Sequence, residues 1–304
     1  MKRIFLFLVT NIAVMVALMV VFHVLCAFLG VDPGGAYSAG GDVRSIMLLS
    51  VVFGMAGGFV SLLLSKTIAK WSTGARTIDG TEGERERRLV EDVRLLAERA
   101  NISMPEVAVY EGAANAFATG AFRNHALVAV STGLLDGMSR EETRAVLGHE
   151  ISHVANGDMV TMTLLQGVLN ACVIFLSRVA ANIVASSLEG NRRESRRSSP
   201  GAIYFAVYYL LQITLGILAS IVVYWYSRRR EYAADRGSAS LMGTPLPMIA
   251  ALRRLGGMEP SRLPDSVKAL GVRGGGTSLF STHPSIEDRI AALENLGGGQ
   301  FTVA

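Results

Sequence analysis

The sequence predicts an α-helical integral membrane protein that also carries a mainly α (α+β) polar domain. Three observations predict it. Half of the 304 residues are hydrophobic, only 18% are charged and the mean hydropathy is +0.38, whereas a soluble domain carries about 25% charged residues. Residues 4–30 and 45–65 hold no charged side chain, and each run exceeds the roughly 20 residues that a helix needs to cross the hydrocarbon core. Polar blocks at 66–158 and 228–304 alternate with the apolar runs and together are large enough for one domain with a core.

The same composition excludes several classes. High apolar content with a net charge of +4 excludes disorder. Two cysteines, Cys26 and Cys172, both inside apolar runs, exclude a disulfide scaffold. A pI near 9.2 suggests nucleic acid, but the excess is small, and many of the 25 arginines flank apolar runs, as membrane-flanking charges do. No nucleic-acid partner is expected.

Four membrane segments are expected, at about 4–29, 45–65, 159–188 and 198–227. The first pair forms an N-terminal hairpin, 1–65. Its first run is too long for the apolar region of a signal peptide, and no small-residue cleavage site follows, so it reads as an uncleaved anchor. The third run carries Thr161, Thr163, Gln166 and Asn170 and continues past Arg178. The fourth holds Tyr204, Tyr208, Tyr209, Tyr224, Trp225 and Tyr226, aromatics near both ends as in an interfacial belt. Lys2 and Arg3 before the first run, Lys66, Lys70 and Arg76 after the second, and Arg228–Arg230 after the fourth place the polar blocks in the cytoplasm by the excess of positive charge on that side. The loop 189–197, with Arg192, Arg193, Arg196 and Arg197, runs against that count. Runs three and four therefore either both cross or form a hairpin that does not fully span.

The first polar block opens with helical spacing over 84–100, where Leu89, Val90, Val93, Leu96 and Ala97 share a face. Short β-prone runs follow at 106–110, 116–119 and 126–131. Ser139 and Glu142 then form the S-x-x-E capping signal of a helix that ends near Asn156-Gly157.

That helix contains His149-Glu150-Ile151-Ser152-His153, an H-E-x-x-H pattern. Residues four apart share a helical face, so both imidazoles can reach one Zn²⁺, and Glu150 can take a proton from the attacking water. With 5 His and 16 Glu in the chain, a chance match is expected roughly 0.004 times, which excludes coincidence. A catalytic zinc usually has three protein ligands. The candidates for the third are His23, His125, His283 and a carboxylate, of which Glu231 stands out. Glu231 and Asp235 are four apart, so Glu231 can ligate while Asp235 holds a ligand histidine by its second nitrogen. Ala233 and Ala234 would let the two helices approach closely. Parity agrees: two crossings, or none, between residues 156 and 231 return the chain to one side.

With these residues in view, the sequence resembles the HtpX family of integral-membrane zinc metalloproteases, relatives of the CaaX prenyl proteases. The resemblance covers nearly the whole chain: the hairpin, Asn115-Ala116-Phe117-Ala118-Thr119-Gly120, the H-E-x-x-H helix, two later apolar runs, the stretch from Ser227 to Asp235, and Thr282-His283-Pro284-Ser285 followed by Arg289-Ile290. It implies a gluzincin, zincin-like metalloprotease domain built from 66–158 and 228–304, facing the cytoplasm from the bacterial inner membrane. It also implies one Zn²⁺ on His149, His153 and Glu231, with Glu150 as general base, and endoproteolysis of misfolded or damaged membrane proteins in stress quality control. Polypeptides and the lipid bilayer are the implied partners; no oligomeric state is implied. His283 is the first candidate for a donor to the oxyanion, supported by the resemblance, and Asn115 the second, as a clamp on substrate backbone along an edge strand at 116–119. Two other classes remain as alternatives: a zinc-stabilised membrane scaffold or chaperone without turnover, and a transporter lined by the polar residues of run three.

Overall fold

The computed structural model describes residues 2–36, 42–189, 201–257 and 283–297. The arginine-dense loop 192–197, the glycine-rich stretch 274–276 and Thr282 of the histidine motif lie outside the described residues. The chain folds as two compact units: Met1–Val60 with Thr163–Ile221, and Ser61–Met162 with Val222–Ala304.

The first unit is helical. It contains α1 (Lys2–Leu29), the first part of α2 (Val43–Thr73), most of α6 (Asp158–Glu189) and the first half of α7 (Ala202–Met242). Among the described residues, Val43–Thr73, Asp158–Ser187 and Ala202–Met242 are long and apolar enough to cross a membrane, and Val16–Leu29 is a shorter apolar helix. Phe22 and Cys26 of α1 pack on Leu49 and Val52 of α2 and on Ala36 of the connecting turn. Lipid tails are as apolar as these side chains, so association relies on close packing and polar contacts rather than on leaving water. The α2–α6 seam shows how. A Cβ at Gly54 would collide with the Ala171 backbone, one at Gly58 would sit 3.0 Å from Thr163 Cγ2, and one at Gly167 would sit 3.2 Å from Met55 Cα. Gly54→Leu is therefore expected to destabilise the protein by about 1–3 kcal/mol or more through overpacking, read as a lower unfolding temperature in detergent; unchanged unfolding would mean that the seam yields freely. Further along α6, Arg178 donates Nη1–H to Ala36 O at 2.8 Å and lies 5.6 Å over the Tyr208 ring, so this charge inside an apolar run is held by a carbonyl and an aromatic face.

The second unit is α+β. It holds the end of α2, β1 (Arg76–Ile78), α3 (Glu84–Arg99), β2 (Glu106–Tyr110), β3 (Ala116–Thr119), β4 (Leu127–Ser131), α4 (Thr132–Gly137), α5 (Arg140–Asn156), the second half of α7, α8 (Leu246–Gly257) and α9 (Ile286–Gly297). The sheet order is β1-β2-β4-β3, with β2 and β4 parallel and the other pairs antiparallel, which puts β3 at an edge. Alternation divides the strands between two faces. Val107, Ala116, Ala118, Val128 and Val130 pack with Leu89, Val93 and Leu96 of α3 and Val146, Leu147 and Ile151 of α5. Ala108, Tyr110, Phe117, Leu127 and Ala129 face Ala69 of α2 on the other side. β1, α4 and α8 are additions to the elements read from sequence; they are short, and β1 gains its ladder only by pairing with β2.

Local chemistry starts and stops the helix that matters most. Ser139 caps α5 by accepting from Glu142 N–H while the Glu142 side chain accepts from Ser139 N–H, a complete capping box. Gly157 ends α5 with φ 69°, in the left-handed region where glycine is favoured, and α6 begins at the next residue. The sequence pattern separates the fourth apolar run from the block that starts at 228. In the structure α7 runs unbroken from Ala202 to Met242 and carries Glu231 and Asp235, because no proline or glycine interrupts it between the apolar run and Arg236.

Candidate metal centre

His149, Glu150 and His153 lie in the buried stretch of α5, and Glu231 and Asp235 are buried on α7. The two helices meet through small residues. A Cβ at Gly237 would collide with the Ser152 side chain, one at Gly148 would sit 3.1 Å from Ser238 Oγ, and Ser238 donates to Ala145 O at 2.6 Å. The sequence pattern assigns this close approach to Ala233 and Ala234. Ala234 is buried, but the tightest contacts fall one turn later, where a glycine removes the side chain altogether.

This contact brings three ligand-type atoms together. His149 Nε2 and His153 Nε2 are 3.1 Å apart, His149 Nε2 is 3.6 Å from Glu231 Oε2, and His153 Nε2 is 3.3 Å from Glu231 Oε1. Among the described residues, His149, His153 and Glu231 form a group able to hold a metal ion. The other nitrogen of each ring has a carboxylate partner: His149 Nδ1 lies 2.9 Å from Asp235 Oδ1, and His153 Nδ1 lies 2.7 Å from Asp158 Oδ2. A carboxylate oxygen accepts, so both Nδ1 atoms carry the proton and both Nε2 atoms present lone pairs. Two lone pairs and a carboxylate converging in a buried space repel one another unless a cation lies among them. A tetrahedral Zn²⁺ with bonds of about 2.0–2.1 Å places its ligand atoms roughly 3.3–3.4 Å apart, within the observed spread. The residues fit a zinc ion in number, donor type and spacing.

Electrostatics agree. Burial lowers the proton affinity of both imidazoles. The carboxylates around them, Asp235 and Glu231 beside His149 and Asp158 and Glu231 beside His153, nevertheless raise it above the ordinary histidine value, for His153 up to about 10. The rings thus sit in a negative potential that attracts a divalent cation as it attracts protons. Glu150 is also buried. Burial pushes its carboxyl above the ordinary glutamate value against the opposing pull of His149 and His153, and the Ala118 backbone N–H of β3 hydrogen-bonds it. The Glu150 side chain therefore faces the edge strand.

The structure brings other residues to this centre. His283 is buried, and its Nδ1 lies 3.0 Å from Glu231 Oε2. Arg289 of α9 is 1% exposed and binds Asp235 with two hydrogen bonds. Arg230 pairs with Asp158. Asn115 precedes β3; its N–H donates to Ser131 Oγ at 2.8 Å and its Oδ1 accepts from Ala116 N–H at 3.0 Å. His125 is exposed in the turn after β3, and His23 bonds Met19 O within α1, so neither contributes to the group. Sequence reasoning missed Asp158 and Arg289. Asp158 stood in plain view as an acidic residue opening an apolar run, a costly place for a carboxylate without a partner. Arg289 entered the sequence reading only as part of the stretch from Thr282 to Ile290 that carries the resemblance, with no role assigned, since an arginine on a short amphipathic helix is ordinarily solvated.

An α-helix presenting two imidazoles and a carboxylate, completed by a glutamate from a second helix in a chain with membrane-crossing helices, defines a membrane-bound metalloprotease. Similarity to known proteins narrows this. Residues 83–296 match the model of peptidase family M48. The chain belongs to that family and, within it, to the HtpX proteases. It is 54% identical to the protease HtpX homolog of Verminephrobacter eiseniae over 97% of this chain and 99% of that one. It is also 54% identical to the protease HtpX homolog of Paracidovorax citrulli over 98% and 100%. The crystal structure of S. mikatae Ste24p shares the fold with a TM-score of 0.59 at 18% identity, covering 92% of this chain; the match spans 62% of the Ste24p chain.

Proposed function

We propose that the chain is a zinc-dependent endopeptidase of the bacterial inner membrane that cuts misfolded or damaged membrane proteins as part of a stress response. The observation that carries the reading is the convergence of His149 Nε2, His153 Nε2 and Glu231 beside a buried Glu150. His149, His153 and Glu231 hold the zinc. The ion, when bound, supplies Lewis acidity to the carbonyl under attack and to the attacking water. Glu150 accepts the proton of that water and delivers it to the leaving amine, a task suited to a carboxyl held above its ordinary value. Asp235 keeps His149 in the tautomer that leaves Nε2 available. β3 is an edge strand, so an extended substrate can pair along it, with Asn115 at its start clamping substrate backbone. His283, whose Nδ1 lies 3.0 Å from Glu231 Oε2, would donate to the oxyanion.

Segments 66–158 and 228–304 act as the two halves of one catalytic domain, with 1–65 and 159–227 as its membrane parts. Because His149, His153 and Glu231 converge, the chain between them crosses the bilayer an even number of times, and α6 and α7 are each long enough to cross. Lys66, Lys70 and Arg228–Arg230 favour a cytoplasmic catalytic domain.

Detergent-purified protein is expected to cleave an unfolded substrate such as casein, to stop on treatment with a zinc chelator, and to recover on adding about one equivalent of Zn²⁺. Activity that survives full chelation would remove the metal from the mechanism. Co-reconstituted with a membrane protein in a native and a destabilised form, it should cut the destabilised form faster; equal rates would end the quality-control reading.

A further inference from the structure

Each imidazole of the metal centre is tied, through a carboxylate, to an arginine. On one side Arg230 pairs with Asp158, which holds His153. On the other, Arg289 Nη2 donates to Asp235 Oδ1 at 2.6 Å and Nε donates to Oδ2 at 2.8 Å, while Asp235 holds His149. Arg289 reaches two further groups: its Nη1 lies 3.4 Å from Glu231 Oε2, and its Nη2 lies 3.3 Å from His149 Nδ1, whose proton goes to the nearer Asp235 Oδ1 at 2.9 Å. A single guanidinium thus touches the carboxylate that orients one ligand and the carboxylate that is another.

The packing of α9 does not need this residue. Leu293, with Ile286 and Ile290 partly buried, packs against Ala145, Ala239, Met248 and Leu252, and Ser285 caps the helix by accepting from Asp288 N–H at 3.0 Å. An arginine on such a helix is ordinarily exposed, and a buried charge is unfavourable unless well paired. Its burial is accounted for by what it grips. The fork geometry matters because two parallel bonds hold both oxygens of Asp235 in one plane, whereas a lysine would hold one point of it.

We propose that Arg289 is a positioning residue for the metal: by fixing the Asp235 carboxylate it keeps the proton of His149 on Nδ1 and Nε2 directed at the ion, which makes the C-terminal helix α9 part of the metal site. The proposal rests on the metal centre described above. It follows that metal affinity depends on α9 being docked and, by reciprocity, that bound metal holds α9 in place.

The test is Zn²⁺ titration of the purified full-length chain in detergent against a competing chelator, with circular dichroism to establish that each variant is folded. Arg289→Met is expected to weaken Zn²⁺ binding about 10–100-fold, and Arg289→Lys to restore part of the loss. Because Arg289 acts through Asp235, Asp235→Asn should weaken binding as well, and the double variant should be no weaker than the worse single one. In wild type, chelation should speed hydrogen exchange along α9; in Arg289→Met the exchange should no longer respond to Zn²⁺. A folded Arg289→Met that binds Zn²⁺ as wild type does would overturn the proposal, and so would single losses that multiply in the double variant. Should Arg289→Met fail to fold, Arg289→Lys alone and combined with Asp235→Asn tests the same coupling: non-multiplying losses support the proposal, multiplying ones end it. A wild type that takes up no Zn²⁺ would overturn the metal centre itself, a result distinct from an unaffected variant.

Discussion

Glu150→Gln is expected to lower peptide hydrolysis by about 10²–10⁴-fold, the range contributed by a positioned general base, while the purified variant still binds one Zn²⁺. The amide keeps the shape of the side chain and can still accept from the Ala118 N–H that meets it on β3. It cannot take a proton from water. His149 and His153 keep their partners Asp235 and Asp158, so the metal should remain. Initial rates on unfolded casein, with zinc content measured on the same preparation, provide the measurement. Cleavage at the wild-type rate would assign the reaction to another base. The comparison also separates an enzyme from a zinc-stabilised scaffold, because a scaffold has no use for a carboxylate beside a ligand, and the same substitution would leave its binding of unfolded chains untouched.

Removal of the third ligand should produce the second large effect. Glu231→Ala is expected to lose zinc while the fold survives. A zinc site built on protein ligands has an apparent binding free energy on the order of 10 kcal/mol, so one of three ligands contributes about 3–4 kcal/mol, or roughly 10²–10³-fold in affinity. The variant should retain little metal through dialysis, and its unfolding temperature should no longer respond to chelator, whereas that of wild type should fall. Arg289 keeps its two bonds to Asp235 in this variant, which limits the damage to the metal. Full zinc occupancy in Glu231→Ala would shift the third ligand elsewhere, and His283, 3.0 Å from Glu231 Oε2, would be the first place to look.

Much of this was legible in the sequence, and the reason differs from element to element. α3, β2, β3 and α5 could be read because their signals are local: an apolar face at helical spacing over 84–99, short β-prone runs at 106–110 and 116–119, a capping box at Ser139 and a terminating glycine at Gly157 all act within a few positions. The same holds for His149, Glu150 and His153, which a single helical turn brings to one face before any tertiary contact forms. Glu231 could be named because an acidic residue after three arginines, with Asp235 one turn on, supplies what two histidines lack. The membrane runs were legible because crossing a bilayer demands length and apolarity, both properties of composition.

Other features depended on contacts that no local pattern encodes. β1 exists only by pairing with β2, and the edge position of β3 follows from the strand order β1-β2-β4-β3. Asp158 and Arg289 look in sequence like a helix-starting acid and a surface base; only the folded chain shows both buried, one against His153 and the other against Asp235. The closeness of α5 and α7 comes from Gly148, Ser152, Gly237 and Ser238 meeting across more than eighty residues of chain, so the alanines nearer to Glu231 were credited with it. By itself, then, the sequence named the side chains that converge at the candidate metal centre and the runs long and apolar enough to enter a membrane, since periodicity, caps and hydropathy depend on near neighbours and on solvent. The tertiary structure alone decided how those side chains are oriented and which charges hold them, because a hydrogen bond between residues 149 and 235, or 235 and 289, exists only once packing has removed the water that would otherwise solvate both partners.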